Sequence, residues 1–256
     1  MKELRKITQE ELNVILENHK HWLITLGMKG NYADLSYTDL TGSDLREANL
    51  RDANLTGANL IDADLSDANL PWAKFVGANL SGARFGNANL RCADLRCADL
   101  VRADLTGANL IGANLRGADL SGSNLTFVSL AYTDLTKANL TDIKNFPNIP
   151  MACPESGSFI GWKTAGGYIV KLEIPEDAKR SSGTGEKCRC SKARVLSIEN
   201  IDGTHAGVSE VCSDYDENFI YRVGETVTVD DFDDNRFNEC APGIHFFMNR
   251  YSAVVY

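Results

Sequence analysis

Between residues 35 and 140 an apolar side chain returns at every fifth position, leucine throughout except at Phe75 and Phe85, giving 22 centres in unbroken register. The residue two before each centre is mostly alanine, as at Ala48, Ala53, Ala58, Ala63, Ala68 and onward to Ala118, and the residue one before is usually aspartate or asparagine. A period of five fits neither the turn of an α-helix, about 3.6 residues, nor the alternation of a flat strand. Two inward positions separated by one polar residue suit a short extended segment, and the two variable positions that follow suit a turn. Each unit therefore bends the chain round a corner.

This pattern, over residues 31–142, resembles that of the pentapeptide-repeat family. The resemblance implies a mainly β fold: a right-handed quadrilateral β-helix, with four repeats to each coil. Residues 20 apart would then stack in columns, with leucine lining all four walls of the interior. At ~4.8 Å between hydrogen-bonded strands, such a rod would be roughly 26 Å long. Alanine follows sterically, because the second inward position lies in a cross-section already filled by leucine. Phe75 and Phe85 would lie on opposite walls and meet in the middle, while Asn49, Asn69, Asn89 and Asn109 would form an outward amide ladder.

A stack of parallel strands exposes unpaired backbone at its ends, so both ends need covering. Upstream, Thr8 and Glu11 form a capping box, and Leu12, Ile15, Leu16, Leu23 and Leu26 recur at helical spacing until Gly27. Residues 1–30 are expected to form a capping helix that covers the first coil with Trp22 and its leucines. This segment also resembles leaders that precede other pentapeptide solenoids. The terminal repeats lose their alanines, to Thr38 and Ser43 at one end and to Ser123, Val128 and Thr133 at the other.

Past the repeats, Phe146-Pro147-Asn148-Ile149-Pro150 breaks strand geometry, which makes 143–152 a linker and 153–256 a second domain. Strand-like runs cover Phe159 to Lys163, Tyr168 to Ile174, Ala193 to Ile198, Phe219 to Val223 and Thr226 to Val229. The last stretch reads as a strand, Ile244-His245-Phe246-Phe247, and a short helix with Asn249 as N-cap. A compact α+β module is expected. It resembles an uncharacterised module that ends other pentapeptide-repeat proteins of phages and bacteria, through Cys153-Pro154, Gly157 to Lys163, Cys188 to Ala193, Tyr221 to Glu225, Glu239-Cys240 and Gly243 to Phe247. That resemblance implies no activity.

The chain has 256 residues, 43% of them hydrophobic, enough to bury cores in two units, and no apolar run approaches a membrane span. Lys2, Arg5 and Lys6 lead into a polar helix, and no secretory signal is read there. Seven cysteines, with Cys92 and Cys97 at outward turn positions, suit a reducing compartment, so a cytoplasmic location is expected.

Three constellations in the second half could carry chemistry. The stretch from Lys179 to Arg194 reads as a loop in which Lys179, Arg180, Lys187, Arg189, Lys192 and Arg194 face a single acid, Glu186. It could seat a phosphate, a nucleotide or an acidic surface, with Arg236 as a further anion ligand; alternatively it offsets Asp230, Asp231, Asp233 and Asp234. Cys188, Cys190, Cys240, His245 and Cys153 could bind zinc, but the spacing departs from zinc knuckles, and free cysteines and no metal are the expected state; His205 reads as a turn residue. The segment Gly243 to Phe246 with Ser252 and Tyr256 resembles the nicotinamide-cradling strand and helix of poly-ADP-ribosyltransferases, although His245 replaces their tyrosine. An enzyme in this module would use His245 with Glu239 or Cys240.

The pattern as a whole points to a non-enzymatic binding or scaffold protein, a rigid solenoid that presents the C-terminal module to a protein partner and needs no cofactor. Outward residues include Arg46, Arg51, Trp72 and Arg102, and a partner patch is expected at Arg91, Arg96 and Arg116. The family's best-known activity, mimicry of duplex DNA at type II topoisomerases, is the alternative. A duplex of ~26 Å would carry about 15 phosphates, whereas residues 31–150 hold 14 acids and 10 bases. A nucleotide- or phosphate-binding C-terminal module is a third reading. Neither direct nucleic-acid binding nor membrane association is expected, and no oligomeric state follows from the pattern.

Overall fold

The computed structural model describes residues 4–147, 151–238 and 241–256. The chain divides into two compact units, Met1–Ile149 and Pro150–Tyr256.

In the first unit, each repeat bridges in parallel to the repeat 20 residues later, so four repeats close one coil. The repeat 53–57 accounts for all five of its amides. Asn54 N–H donates back to Ala33 O at 3.0 Å, while Leu55 and Gly57 N–H donate forward to Lys74 O at 2.7 Å and Val76 O at 3.0 Å. Ala53 N–H closes the preceding turn on Leu50 O at 3.0 Å. The remaining amide, Thr56 N–H, donates to the side-chain Oδ1 of Asn54 at 3.2 Å. Where an Asx residue precedes the centre it therefore has a structural role, since its short side chain readily places an acceptor two residues ahead. The same bond recurs from Ser36 to Asp34, Val101 to Asp99 and Ser121 to Asp119.

The turns fall on the two variable positions, and the second of these has positive φ in all 22, eight times as glycine. With the bond from residue four to residue one, this is the signature of a type II turn. Leucines and alanines line the interior, fully buried from Leu50 to Leu125. Phe75 and Phe85 meet edge to face, with centroids 6.3 Å apart. The asparagine ladder has rungs from Asn69 to Asn49 and from Asn89 to Asn69. The coil continues past residue 142, because Lys144 still pairs with Asn124.

Strand β1 (Arg5–Lys6) pairs in parallel with β2 (Thr38–Asp39), an element not foreseen from sequence. Helix α1 (Gln9–Ile24) starts with the expected Thr8–Glu11 capping box. Its contacts with the first coil are polar as well as apolar. The Gln9 amide bonds both Asp44 N–H and Asp44 C=O at 3.1 Å, as a neighbouring strand would. Buried His19 accepts from Ala33 N–H at 3.1 Å through Nδ1, and its Nε2 lies 3.0 Å from Arg51 O. One neutral tautomer, protonated at Nε2, satisfies both contacts. Leu12 is buried, but Leu26 is exposed because the helix ends at Ile24 and Leu26 enters a left-handed turn.

The second unit is a seven-stranded antiparallel sheet. Its strands are β3 (Phe159–Ala165), β4 (Tyr168–Ile174), β5 (Arg180–Ser182), β6 (Lys187–Cys190), β7 (Lys192–Glu199), β10 (Thr226–Thr228) and β11 (Ile244–Phe247). Their order is β10-β7-β4-β3-β11-β6-β5. A separate hairpin joins β8 (Glu210–Cys212) to β9 (Ile220–Arg222). Gly166 and Gly167, both at positive φ, form the two-residue turn between β3 and β4. One face carries Val170, Leu172, Ile174, Cys188, Cys190, Val195, Ile244 and Phe246, under Tyr221 and Val211 of the β8–β9 hairpin. The other face packs Ile169, Trp162 and Phe247 against Ala253 of α2 (Arg250–Val255), whose N-cap is Asn249 as expected.

One expectation changes here. The stretch from Lys179 to Arg194 is not a loop but the β5–β6 hairpin and the start of β7. Cys188 and Cys190 face the core while Lys187 and Arg189 alternate with them, a strand pattern that the charges concealed. Among the described residues the module holds one helix, the short one expected after Asn249.

Two tests address the first unit. Gly112→Ala puts a side chain at φ 70° with its Cβ 3.2 Å from Cys92 Sγ, and should cost about 1–2 kcal/mol in chemical denaturation. Burial lowers the pKa of His19, so the unfolded chain takes up a proton first as the solution acidifies. The stabilisation from His19 is therefore complete above about pH 6.5 and declines below it. Hydrogen-exchange protection of α1 should fall between about pH 7.5 and about pH 5, and His19→Gln should flatten that dependence. Equal protection at both pH values would refute the tautomer assignment.

Candidate functional site

The outer walls of the solenoid are the first candidate. Arg96, expected in the partner patch, is turned onto its own repeat: Nε and Nη2 grip Asp94 at 2.8 and 2.7 Å. Arg46 grips Asp44 in the same way, pulling that carboxyl down to about 2. Arg84 pairs more loosely with Asp64, at 3.5 Å. Arg91 and Arg116 follow Asn89 and Asn114 instead, and among the described residues neither forms an ion pair. Arg51 lies over the Trp72 ring at 4.8 Å, and Trp72, Phe127 and Tyr132 are exposed. All three hold positive φ, where eight other turns use glycine. Beside this wall, Trp22, Leu23, Ile24 and Leu26 of the N-terminal segment line a cleft of about 630 Å³ with Asn49, Asn69 and Arg51.

In the second unit the basic residues do not converge on one external ligand. Lys179 pairs with Asp234 at 3.2 Å, and Lys192 with Asp177, which lies outside the acidic cluster of Asp230 to Asp234. Arg194 points outward from β7. Lys187 Nζ donates to Tyr256 Oη at 2.8 Å, and Ser252 Oγ donates to Glu186 at 2.8 Å, so α2 is tied to the β5–β6 turn. Buried Arg189 donates to Asn235 O at 2.8 Å and Pro242 O at 3.3 Å. Arg180 donates to the carbonyls of Gly157, Pro175 and Glu176 at 2.7 to 2.9 Å, and Arg236 to Ser182 O at 3.0 Å.

His245 pairs across the sheet with Arg189. Its Nε2 lies 3.2 Å from Ala241 O, and its buried Nδ1 has no hydrogen-bond partner among the described residues. Burial first, then the charge of Lys187, lowers it to about 4, so it stays neutral near pH 7 and is a weak base there. Glu239 and Cys240, the proposed helpers of His245, lie outside the described residues. Among the described residues, no three His, Cys, Asp or Glu side chains group to hold a metal.

The core face holds a polar cluster that sequence reasoning missed. Lys163 projects inward from the middle of β3, with its Nζ 5.0 Å from the Tyr221 ring centroid. Burial lowers it to about 8, against the opposing pull of Asp214. Tyr221 is raised by burial, and Cys190 is pushed up to about 12 by the same cause. Cys153 and Cys188 share this face, and Arg180 and Arg236 lie near enough to Cys153 to favour its thiolate. The signal for Lys163 was present: in Gly161-Trp162-Lys163-Thr164-Ala165 it occupies the inward register of an alternating strand.

Residues 33–70, 68–107 and 103–142 match the family of pentapeptide repeats, and residues 149–253 match a family of unknown function, DUF5758. No curated protein matches the chain. Among solved structures, a pentapeptide repeat protein from the Arabidopsis thaliana thylakoid lumen is 35% identical over 41% of this chain and 72% of its own, with a TM-score of 0.39. The pentapeptide repeat protein Rfr23 from the cyanobacterium Cyanothece 51142 is 28% identical over 52% and 97%, with a TM-score of 0.30. HetL, involved in heterocyst differentiation regulation in Nostoc, is 35% identical over 44% and 60%, with a TM-score of 0.19. The chain thus belongs to the pentapeptide-repeat proteins, with a DUF5758 domain following its repeats.

Proposed function

We propose that this chain is a non-enzymatic binding scaffold: a right-handed, four-sided solenoid, closed at its start by residues 1–30, whose walls engage a protein partner and which presents the module of residues 153–256. No helix among the described residues is long and apolar enough to cross a membrane. Exposed Cys92, Cys97 and Cys212 support a reducing, cytoplasmic setting.

The observation that carries this reading is the strain on the walls. Backbone closure needs only glycine or an Asx residue at the second turn position, yet Trp72, Arg102, Phe127 and Tyr132 stand there in left-handed backbone. Each costs about 1–2 kcal/mol relative to a right-handed conformation, more than exposed rings return even with the Arg51 contact to Trp72. Trp, Tyr and Arg are the side chains on which protein interfaces most often rest. Arg91 and Arg116, at adjacent corners of successive coils, supply charge that forms no ion pair among the described residues; Arg96 shares its charge with Asp94.

Trp72→Gly with Tyr132→Gly should raise the unfolding free energy by about 1 kcal/mol and yet weaken partner capture, a combination that only functional strain gives. Arg91→Glu with Arg116→Glu should leave the fold intact and reduce capture of the same partner at least tenfold, about 1.4 kcal/mol. Unchanged capture in both variants would remove the wall from the binding site. DNA mimicry is disfavoured by the Arg–Asp pairs along the walls, so supercoiling by gyrase should proceed unchanged in the presence of the protein; inhibition would reverse that ranking.

A further inference from the structure

We propose that Cys153 and Cys188 form a redox-active dithiol that a hydroperoxide oxidises to an intramolecular disulfide. Both thiols are buried in the same core cluster of the C-terminal unit. Ala152 N–H donates to Ser182 Oγ at 2.7 Å, and Ser182 is the β5 residue paired with Cys188 on β6. The segment that carries Cys153 is therefore fixed beside Cys188 by the register of the β5–β6 hairpin. Each thiol lies close enough to shift the titration of the other, while Cys188 Sγ donates to Glu186 O at 3.6 Å.

The surroundings assign each sulfur a role. The neighbouring Cys188 thiol first, then the charges of Arg180 and Arg236, hold the Cys153 thiol below its ordinary range, while Cys188 is raised by the Cys153 thiol and by burial. Arg180 is held by the carbonyls of Gly157, Pro175 and Glu176, and Arg236 by that of Ser182, so both cations stay in place beside the thiol. The Cys153 thiolate is then an anion that both arginines face, with the Glu155 carboxylate a further one beside Arg236.

Two steps follow. The Cys153 thiolate attacks one oxygen of the peroxide and breaks the O–O bond; the other oxygen leaves with a proton as water or an alcohol, and Cys153 becomes a sulfenic acid. Cys188 sulfur then attacks Cys153 sulfur and loses its proton, and the sulfenic oxygen leaves as a second water. One peroxide is reduced by two electrons, and two thiols are oxidised to one disulfide.

The test uses the full chain with one equivalent of hydrogen peroxide, followed by tryptic mapping without reduction. Trypsin cuts after Lys187, Arg189 and Lys192, which separates Cys188 from Cys190 and makes the linkage unambiguous. The expected product links the Cys153 peptide to Cys188, has lost two hydrogens, returns to thiols with dithiothreitol and is absent from Cys153→Ser. Arg236→Gln should slow its formation about threefold or more near pH 7 and move the rate profile to higher pH. Over-oxidation of Cys153 without a link, a link to any other cysteine, an unmodified Cys153 beside oxidised Cys92 and Cys97, or zinc held by these thiols in the purified protein would each overturn the proposal.

Discussion

A buried coil can leave no amide without an acceptor, and in the repeat 53–57 that demand is met by one bond back, two bonds forward, one bond inside a turn and one bond to a side chain. The rest of the solenoid follows from this closure. The forward and backward bonds fix the parallel spacing of 20 residues, which places leucine over leucine and alanine over alanine. The turn bond requires positive φ, which explains glycine at eight turns and Asp or Asn at several more. The side-chain bond explains why an Asx residue precedes so many centres. Leucine supplies the burial; the backbone bonds decide where it can be placed.

The same closure fails at the first coil, which has no preceding coil to pair with. There the chain substitutes, wall by wall. The strand β1 pairs with β2, the Gln9 amide imitates a peptide group against Asp44, and the His19 ring bridges Ala33 and Arg51. Each replacement satisfies backbone that would otherwise recruit another chain edge to edge. That edge also depends on a neutral imidazole, so acid acts on this contact before it reaches most of the carboxylates. Asp34, Asp64, Asp94 and Asp119 are held below their ordinary range by the hydrogen bonds of the residue two positions on.

The solenoid was readable because its period maps one-to-one onto its geometry; the meeting of Phe75 and Phe85, the turn positions and the Thr8–Glu11 box all follow from spacing. The polar substitutes at the first coil were not readable, since Gln9 acts on a backbone group 35 residues away and nothing in its local sequence marks it. In the C-terminal unit the apolar runs and the Gly166–Gly167 turn located β3 and β4. The β5–β6 hairpin was missed because its core face is made of cysteine and serine, and its other face is basic. The candidate anion site came from those bases counted along the chain. In three dimensions they divide between two faces of the sheet, and most of them bind carbonyls or acids of their own unit.

What the C-terminal unit buries argues against a purely structural role. A core built only for stability would place an apolar residue at position 163, because burying an ammonium costs more than a ring contact to Tyr221 returns. The same reasoning applies to the arginines held beside Cys153: they favour a thiolate inside a core, where a neutral thiol would pack at no electrostatic cost. Lys163, Cys153, Cys188 and Cys190 lie on one face, under one hairpin, so these costs fall in a single region of the sheet. A disulfide from Cys153 to Cys188 would close a loop of roughly 35 residues and restrict the unfolded chain by about 3–4 kcal/mol. Oxidation would then offset in one step much of what the buried charges cost, so the redox state of two sulfurs would set the rigidity of this unit.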